Sequence, residues 1–247
     1  SKEPTFHMIN NTDALYPKII SFKFPKPGQT NATCRIGVVN AKGGETQWFD
    51  LPGFGDEYYI PQMEWTPEPN TVIFQYLNRE QNKNTVMIGD AGTGETIPVF
   101  TDSDEAWVHV VPDIRWIDNG KKFLWMSEQD GWRHIYSVSP DEKKLMLLTP
   151  GEYDVESIEA VDEEDGWLYI IASPENPTQR YLYKTPLDGS GNLERVSPEN
   201  QPGTHNYRFS SDSKWAFHTY SQFDVPPVTE LVKIDGHVSQ SALRSEE

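Results

Sequence analysis

The sequence is poor in the features that most often announce a function. Its single cysteine, Cys34 in 247 residues, rules out an internal disulfide. Cys34 sits in an apolar stretch, TCRIGVV, and reads as a small buried hydrophobe rather than a reactive thiol. Cysteine usage therefore leaves the redox compartment open. No apolar run reaches the 18 or so residues of a transmembrane helix. Basic residues are scarce: 21 Lys and Arg against 38 Asp and Glu give a net charge of −17. That balance argues against a nucleic-acid partner, because little here would neutralise phosphates. No basic patch suggests an anionic membrane surface either.

Catalytic and ligand-binding signatures are missing as well. There is no G-x-S-x-G elbow, no P-loop and no dinucleotide fingerprint. His7, His109, His134, His205, His218 and His237 are scattered, without the H-x₃-H or Cys/His spacing of a zinc site. The acidic clusters at 102–105 and 162–165 lack the spacing of a calcium loop. No metal and no cofactor is expected. The chain opens at Ser1 with neither Met nor a signal-like segment, as expected of a piece excised from something longer. Asn10-Asn11-Thr12 and Asn31-Ala32-Thr33 match the sugar-acceptor pattern at about the frequency chance allows.

What the chain does have is self-similarity. Arg35-Ile36-Gly37-Val38-Val39-Asn40-Ala41-Lys42-Gly43-Gly44-Glu45-Thr46 lies 50 positions ahead of Thr85-Val86-Met87-Ile88-Gly89-Asp90-Ala91-Gly92-Thr93-Gly94-Glu95-Thr96. Both read as an apolar strand, a polar Asn or Asp with Ala, a Gly-bearing turn, and a second strand opened by Glu-Thr. A second series is anchored at Trp65, Trp116, Ala160 and Phe209, in steps of 51, 44 and 49 residues. Periods of this size belong to β-propellers, in which one blade is about four antiparallel strands. Helical solenoids share the period, but here the apolar residues alternate or run in blocks rich in Ile, Val, Tyr, Phe and Trp, which is strand grammar. The 8 Trp, 11 Tyr and 11 Phe supply filling for seams between stacked sheets.

The expected fold is all-β, a partial β-propeller of four-stranded antiparallel blades in one domain, 1–247. A truncated first blade occupies 1–55, with strands near 17–24, 34–40 and 46–51 after a polar, irregular start over 1–15. Fuller blades follow at about 58–102, 107–151, 153–200 and 203–243, then a tail at 244–247. Within the second full blade, strands are expected near 113–117, 121–127, 132–139 and 143–149. Asp118-Asn119-Gly120 and Asp188-Gly189-Ser190-Gly191 carry hairpin-turn chemistry, since Asn and Gly tolerate positive φ. The polar stretch from Ser239 to Glu247 is expected to fray. No helix longer than a turn or two is expected.

Three clusters invite a chemical reading. Asp102–Glu105 is followed by Trp107 and His109 in a blade-opening loop; it is a solvated turn, or else the lining of a central channel. Asp162-Glu163-Glu164-Asp165 falls where a hairpin tip belongs. Trp132-Arg133-His134-Ile135-Tyr136 could suggest catalysis through His134 and Arg133, but an inner strand after an Asp-Gly turn is better explained by packing between blades. On the residues alone the chain is a non-catalytic propeller.

Several segments also resemble a known family. WIDNGKKFLWMSEQDGWRHIYSV is similar to the propeller segment of dipeptidyl peptidase IV-type serine peptidases. Tyr16-Pro17-Lys18 with Phe24-Pro25-Lys26-Pro27-Gly28 resembles the family's YPK…YPK-x-G stretch. Tyr76-Leu77-Asn78-Arg79-Glu80-Gln81-Asn82 with Val86-Met87-Ile88-Gly89-Asp90 resembles its W/Y-L-x-R-x-Q-N…V-M-x-x-x-D pattern, and Val155-Glu156-Ser157-Ile158 its V-x-x-I strand. The likeness runs in order over nearly the whole chain. It implies the last four and a half blades of an eight-bladed propeller, placed before an α/β-hydrolase domain with a Ser-Asp-His triad. Such enzymes release N-terminal dipeptides, usually X-Pro or X-Ala, from peptides with a free N-terminus. The glutamate pair that binds the α-amino group would lie upstream of Ser1 and the triad beyond Glu247, so no catalytic residue is carried over.

The resemblance implies two further roles. Trp107, His109, Val110 and Val111 correspond to a loop facing the substrate chamber, where the family commonly shows an aromatic and an arginine at the places of Val110 and Val111. Residues from about Pro4 to Lys26 match an arm that reaches a second subunit, with Ile19, Ile20, Phe22 and Phe24 as its apolar contacts, although the same pattern also suits an ordinary blade strand. A homodimer and export to the periplasm or cell surface are expected on resemblance alone. Two alternatives remain: the propeller of a prolyl tripeptidyl peptidase, and a non-enzymatic binding propeller of the TolB kind.

Overall fold

In the computed structural model, which describes residues 3–51, 53, 55 and 57–243, regular structure is β-strand apart from one short 3₁₀ turn. The chain divides into two compact units, Ser1–Val110 and Val111–Glu247.

The first unit opens with a hairpin, β1 (Thr5–Asn10) and β2 (Lys18–Lys23), a two-stranded sheet of its own. A second hairpin pairs β3 (Gly37–Val38) with β4 (Gln47–Trp48). The main sheet holds β5 (Tyr58–Tyr59), β6 (Met63–Trp65), β7 (Thr71–Asn78), β8 (Lys83–Asp90) and β9 (Thr96–Ser103), with β5 and β6 both paired to β7. Ile36, Phe49, Tyr58, Val72, Phe74, Tyr76 and Met87 form the core that joins this sheet to the smaller hairpin. The segment that follows the first copy of the 50-residue repeat lies against the turn of the second. Asp50 N donates to Gly94 O at 2.9 Å, and Gln47 Nε2 donates to Thr93 O at 3.0 Å.

The second unit is three four-stranded antiparallel meanders. The first runs β10 (Arg115–Ile117), β11 (Lys122–Ser127), β12 (His134–Ser139) and β13 (Lys144–Leu147). The second runs β14 (Val155–Asp162), β15 (Trp167–Ala172), β16 (Tyr181–Pro186) and β17 (Glu194–Arg195). The third runs β18 (Thr204–Phe209), β19 (Trp215–Gln222), β20 (Val225–Lys233), a 3₁₀ turn at Asp235–His237, and β21 (Val238–Leu243). Side chains alternate across a strand. Leu168, Ile170 and Ala172 of β15 therefore join one core with Ile117, Leu124 and Ile135. Tyr169 and Ile171 join a different core with Tyr207, Ala216 and Val232. The middle sheet is buried on both faces, which is why WLYIIA reads as an unbroken apolar run. Backbone bonds stitch successive sheets: Val155 N donates to Arg133 O at 2.7 Å, and His205 N to Arg180 O at 3.0 Å.

The strands of the first meander fall within two residues of the sequence-based expectation. Three expectations are corrected. The start over 1–15 is not irregular throughout, since Thr5–Asn10 pairs in register with Lys18–Lys23 and Asn10 Oδ1 accepts from Thr12 N to shape the connection. The strands expected at 34–40 and 46–51 are confined to Gly37–Val38 and Gln47–Trp48. The stretch from Ser239 is not frayed at its start: Val238–Leu243 is the outer strand of the last sheet, paired with β20. These strands escaped notice because backbone pairing holds them, not an apolar pattern. The expected tail at 244–247 lies outside the described residues.

Gly94, in the turn of the second repeat copy, packs against β4. Its φ is +80°, and a Cβ there would stand 2.3 Å from Trp48 O. Gly43 has φ +85° but open space around it. Gly94→Ala should cost at least about 2 kcal/mol, combining left-handed strain with the backbone overlap, and Gly43→Ala only about 1 kcal/mol. Chemical denaturation of both variants checks this; equal losses would show that the contact with β4 carries no strain.

Candidate functional site

Three places gather side chains that could do something beyond packing. The first is the loop after β9. Asp104 Oδ1 accepts from Ala106 N at 2.7 Å and Trp107 N at 3.2 Å, and these backbone bonds hold its carboxyl below the usual carboxylate range. Val108 N donates to Gln81 O and Asp104 N to Asn82 O, tying the loop to the turn between β7 and β8. Trp107 and His109 are exposed, Val110 is half-buried, and Val111 is buried. Val110 borders an open cavity of about 400 Å³ in the first unit, with Asn31, Cys34, Tyr58 and Leu77 among its walls. Burial pushes the Cys34 thiol up, and Tyr58 Oη donates to Cys34 O at 2.6 Å, so Cys34 is a packing residue.

The second place is the β1–β2 hairpin. Ile19, Ile20, Phe22 and Phe24 are 71%, 47%, 39% and 50% exposed. Phe6, Phe22 and Phe24 form a triangle of rings with centroids 5.7 to 6.3 Å apart. Apolar side chains crowd both faces of a two-stranded ribbon that buries none of them, an exposed apolar surface. His7 Nδ1 lies 2.8 Å from Ser21 Oγ across this ribbon. Both are exposed and no carboxylate is bonded to the ring among the described residues, so the pair lacks the buried orienting acid of a serine nucleophile.

The third place was not visible as a motif. In the last sheet, Tyr207 faces His218 and His218 faces Glu230 as direct cross-strand partners on β18, β19 and β20. His218 Nδ1 is 2.9 Å from Glu230 Oε1, and His218 Nε2 is 2.8 Å from His205 Nδ1. His205 Nε2 reaches Gln201 O at 2.9 Å, and Tyr207 Oη lies 2.8 Å from His237 Nε2. Burial pushes His205 down to about 4, and it lowers His218 and His237 as well. Burial alone would raise Glu230, but hydrogen bonds from Ser239 and His218 leave it below its ordinary value. Residues 11 to 13 apart in sequence meet here because each pair is nearly equidistant from its hairpin turn. That spacing was the available signal.

The other clusters are structural. His134 is buried, with Nδ1 at 2.8 Å from Asp130 Oδ2 and its ring edge-on to Tyr153. Arg133 contributes its backbone N–H to Asp154 Oδ1. Asp162 Oδ1 caps the turn of its acidic cluster through Glu164 N and Asp165 N.

Comparison with known proteins decides the family. Residues 1–227 match the family model described as the dipeptidyl peptidase IV (DPP IV) N-terminal region. The chain belongs to the DPP IV N-terminal region family. Probable dipeptidyl-aminopeptidase B of Emericella nidulans is 29% identical over 226 residues, covering 85% of this chain and 25% of its own length. The protein of the same description from Aspergillus oryzae matches equally, at 29% over 226 residues, with 85% and 25% covered. Among solved structures, Porphyromonas gingivalis dipeptidyl peptidase 4 superposes with a TM-score of 0.84 at 25% identity, covering 99% of this chain and 34% of that one. A putative dipeptidyl aminopeptidase IV from Bacteroides ovatus gives 0.83 at 19% identity, with 98% and 37% covered, a likeness of fold. The chain thus spans about a quarter of the length of the curated relatives it matches. Its four-stranded antiparallel sheets are part of a DPP IV-type β-propeller.

The histidine row gives this DPP IV region a pH dependence. A histidine held near 4 in the fold and near 6.5 when unfolded binds protons more readily in the unfolded chain between those values. Its contribution to stability is complete above about pH 6.5 and is lost as pH falls towards about 4. Between about pH 7.5 and pH 5 the chain should lose roughly 1–3 kcal/mol from this source, and His205→Gln should flatten the slope. Melting temperatures across that range test it; an unchanged slope in the variant would remove His205 as the cause.

Proposed function

We propose that this chain is the wall of the access chamber of a serine-type exopeptidase that releases N-terminal X-Pro or X-Ala dipeptides. The observation that carries the reading is the match of residues 1–227 to the DPP IV N-terminal region, in a chain whose relatives are named dipeptidyl-aminopeptidases. The chemistry of cleavage is assigned to an α/β-hydrolase domain outside these 247 residues. Trp107 and His109, exposed on a loop pinned at both ends, are the side chains offered to substrate, with Val110 beside them and Val111 turned inward. A net charge of −17 favours the approach of peptides with a cationic N-terminus. Export to the periplasm or cell surface goes with this reading on family likeness alone.

The β1–β2 hairpin is the proposed dimer arm. Its support is an apolar surface carrying Ile19, Ile20, Phe22 and Phe24 that the chain itself does not cover.

Two measurements test these readings. The purified chain should not turn over a Gly-Pro chromogenic amide, whereas the protein that also carries the hydrolase domain should; hydrolysis by the chain alone that survives purification would reveal an overlooked nucleophile. In the longer protein, Phe22→Glu with Ile20→Glu should weaken self-association at least about tenfold while leaving its melting temperature nearly unchanged. Light scattering that still shows the same dimer would remove the hairpin from the interface.

A further inference from the structure

The donor-acceptor pattern of the row in the last sheet has a definite direction. Gln201 O is a carbonyl and can only accept, so His205 Nε2 carries a proton and donates to it. His205, neutral in its buried setting, then presents a lone pair on Nδ1, and His218 Nε2–H donates to that lone pair. The two rings are nearly coplanar, 6° apart, as such a bond requires. His218 Nδ1 lies 2.9 Å from Glu230 Oε1, so the two atoms share one proton or, after a small displacement, one metal ion.

His237 adds a third donor. One ring nitrogen of His237, one of His218 and a carboxylate oxygen of Glu230 all lie within 4.8 Å of one another. Tetrahedral zinc with bonds of about 2.0–2.1 Å needs its ligand atoms about 3.3 Å apart. His218 and Glu230 must part by a few tenths of an ångström, and His237 must swing inward. The latter is feasible, because His237 is half-buried on a 3₁₀ turn and lines an open cavity of about 800 Å³. Orienting partners of the kind that surround metal ligands are in place. His205 backs His218, Ser239 bonds Glu230, and the Tyr207 hydroxyl bonds His237. Arg195, a cation on the same cavity wall, is committed to Glu175 and to the carbonyls of Ser197 and Pro198.

We propose that His218, Glu230 and His237 form a binding site for a divalent transition metal of the zinc class, with a fourth position open to the cavity. Two imidazoles and one carboxylate are the donor set of three-ligand zinc sites, and the open position takes water. The metal joins β19, β20 and the turn that feeds β21, so it clamps the outer strand onto the sheet. This assignment does not depend on the peptidase reading.

The test is titration of the chelator-treated chain with Zn²⁺ alone by calorimetry, and with Co²⁺ alone by visible absorption. The expected result is one equivalent bound, with the strong visible bands of tetrahedral cobalt and a rise in melting temperature with Zn²⁺. His237→Ala and Glu230→Gln should each weaken binding at least about tenfold and abolish the cobalt bands, while His7→Ala changes neither. Glu230→Gln preserves shape and decides the matter if His237→Ala fails to fold. No binding, or binding of equal strength in both variants, would overturn the proposal and assign any bound metal to the acidic surface.

Discussion

In the first two sheets of the second unit each central strand faces two ways, and both directions are buried. Leu168 and Ile170 leave β15 on one side and Tyr169 and Ile171 on the other, each set closing a separate core with a neighbouring sheet. Much else follows from this double burial. A register slip of one residue would exchange the two sets, so strand pairing is fixed by two cores at once. A sheet made this way cannot be stable alone, because its exposed faces would be almost wholly apolar. The third meander shows the contrast. Tyr207 and Ala216 point into a core, whereas Thr204, Asn206 and Arg208 are exposed, and Phe217 on the same outer face is 48% exposed.

The same constraint governs polar groups. A side chain inside a doubly buried sheet must be apolar or fully hydrogen-bonded, since an unpaired buried polar group costs roughly 1–3 kcal/mol. His134 meets the condition on one nitrogen through Asp130. Asn84 meets it on its nitrogen, Nδ2 donating to Gln75 Oε1 at 2.8 Å. The row from His205 to His237 is the most extended case. It links a backbone carbonyl, two imidazoles and a carboxylate from Gln201 through His205 and His218 to Glu230, so a change at one member alters the proton positions available to the rest, and Tyr207 and His237 bond each other beside it.

How much of this was legible depended on which force held each element. Strands held by two cores, such as FLWM in β11 and WLYIIA in β15, announced themselves as apolar blocks, and the 50-residue offset between Gly37 and Met87 exposed the repeat. β1 and β21 did not, because backbone pairing is indifferent to side-chain type and both carry mixed or polar sequences. Two turns of the first unit were read from Gly content, but the contact of the second, at Gly94, with Trp48 of β4 required coordinates. The histidine row stayed hidden for a geometric reason. Spacing rules for metal sites describe residues close in sequence, whereas a hairpin brings together residues equidistant from its turn, as with Tyr207 and His218 across the connection at 210–214.

Sheets so fully committed to packing leave their loops to meet other molecules. The value of a loop for recognition depends on what holds it before a ligand arrives. The segment from Asp104 to Val110 is held by Asp104 capping two backbone N–H groups and by bonds to the carbonyls of Gln81 and Asn82. The turn that supplies those carbonyls is itself fixed by Asn78, whose Oδ1 accepts from Asn82 N and Lys83 N. Trp107 and His109 therefore stand on a loop whose backbone is already ordered, so contact with them does not require freezing the chain first. The β1–β2 hairpin is the opposite case. It is a lone ribbon with its apolar side chains outward, and covering that surface would stabilise ribbon and partner together.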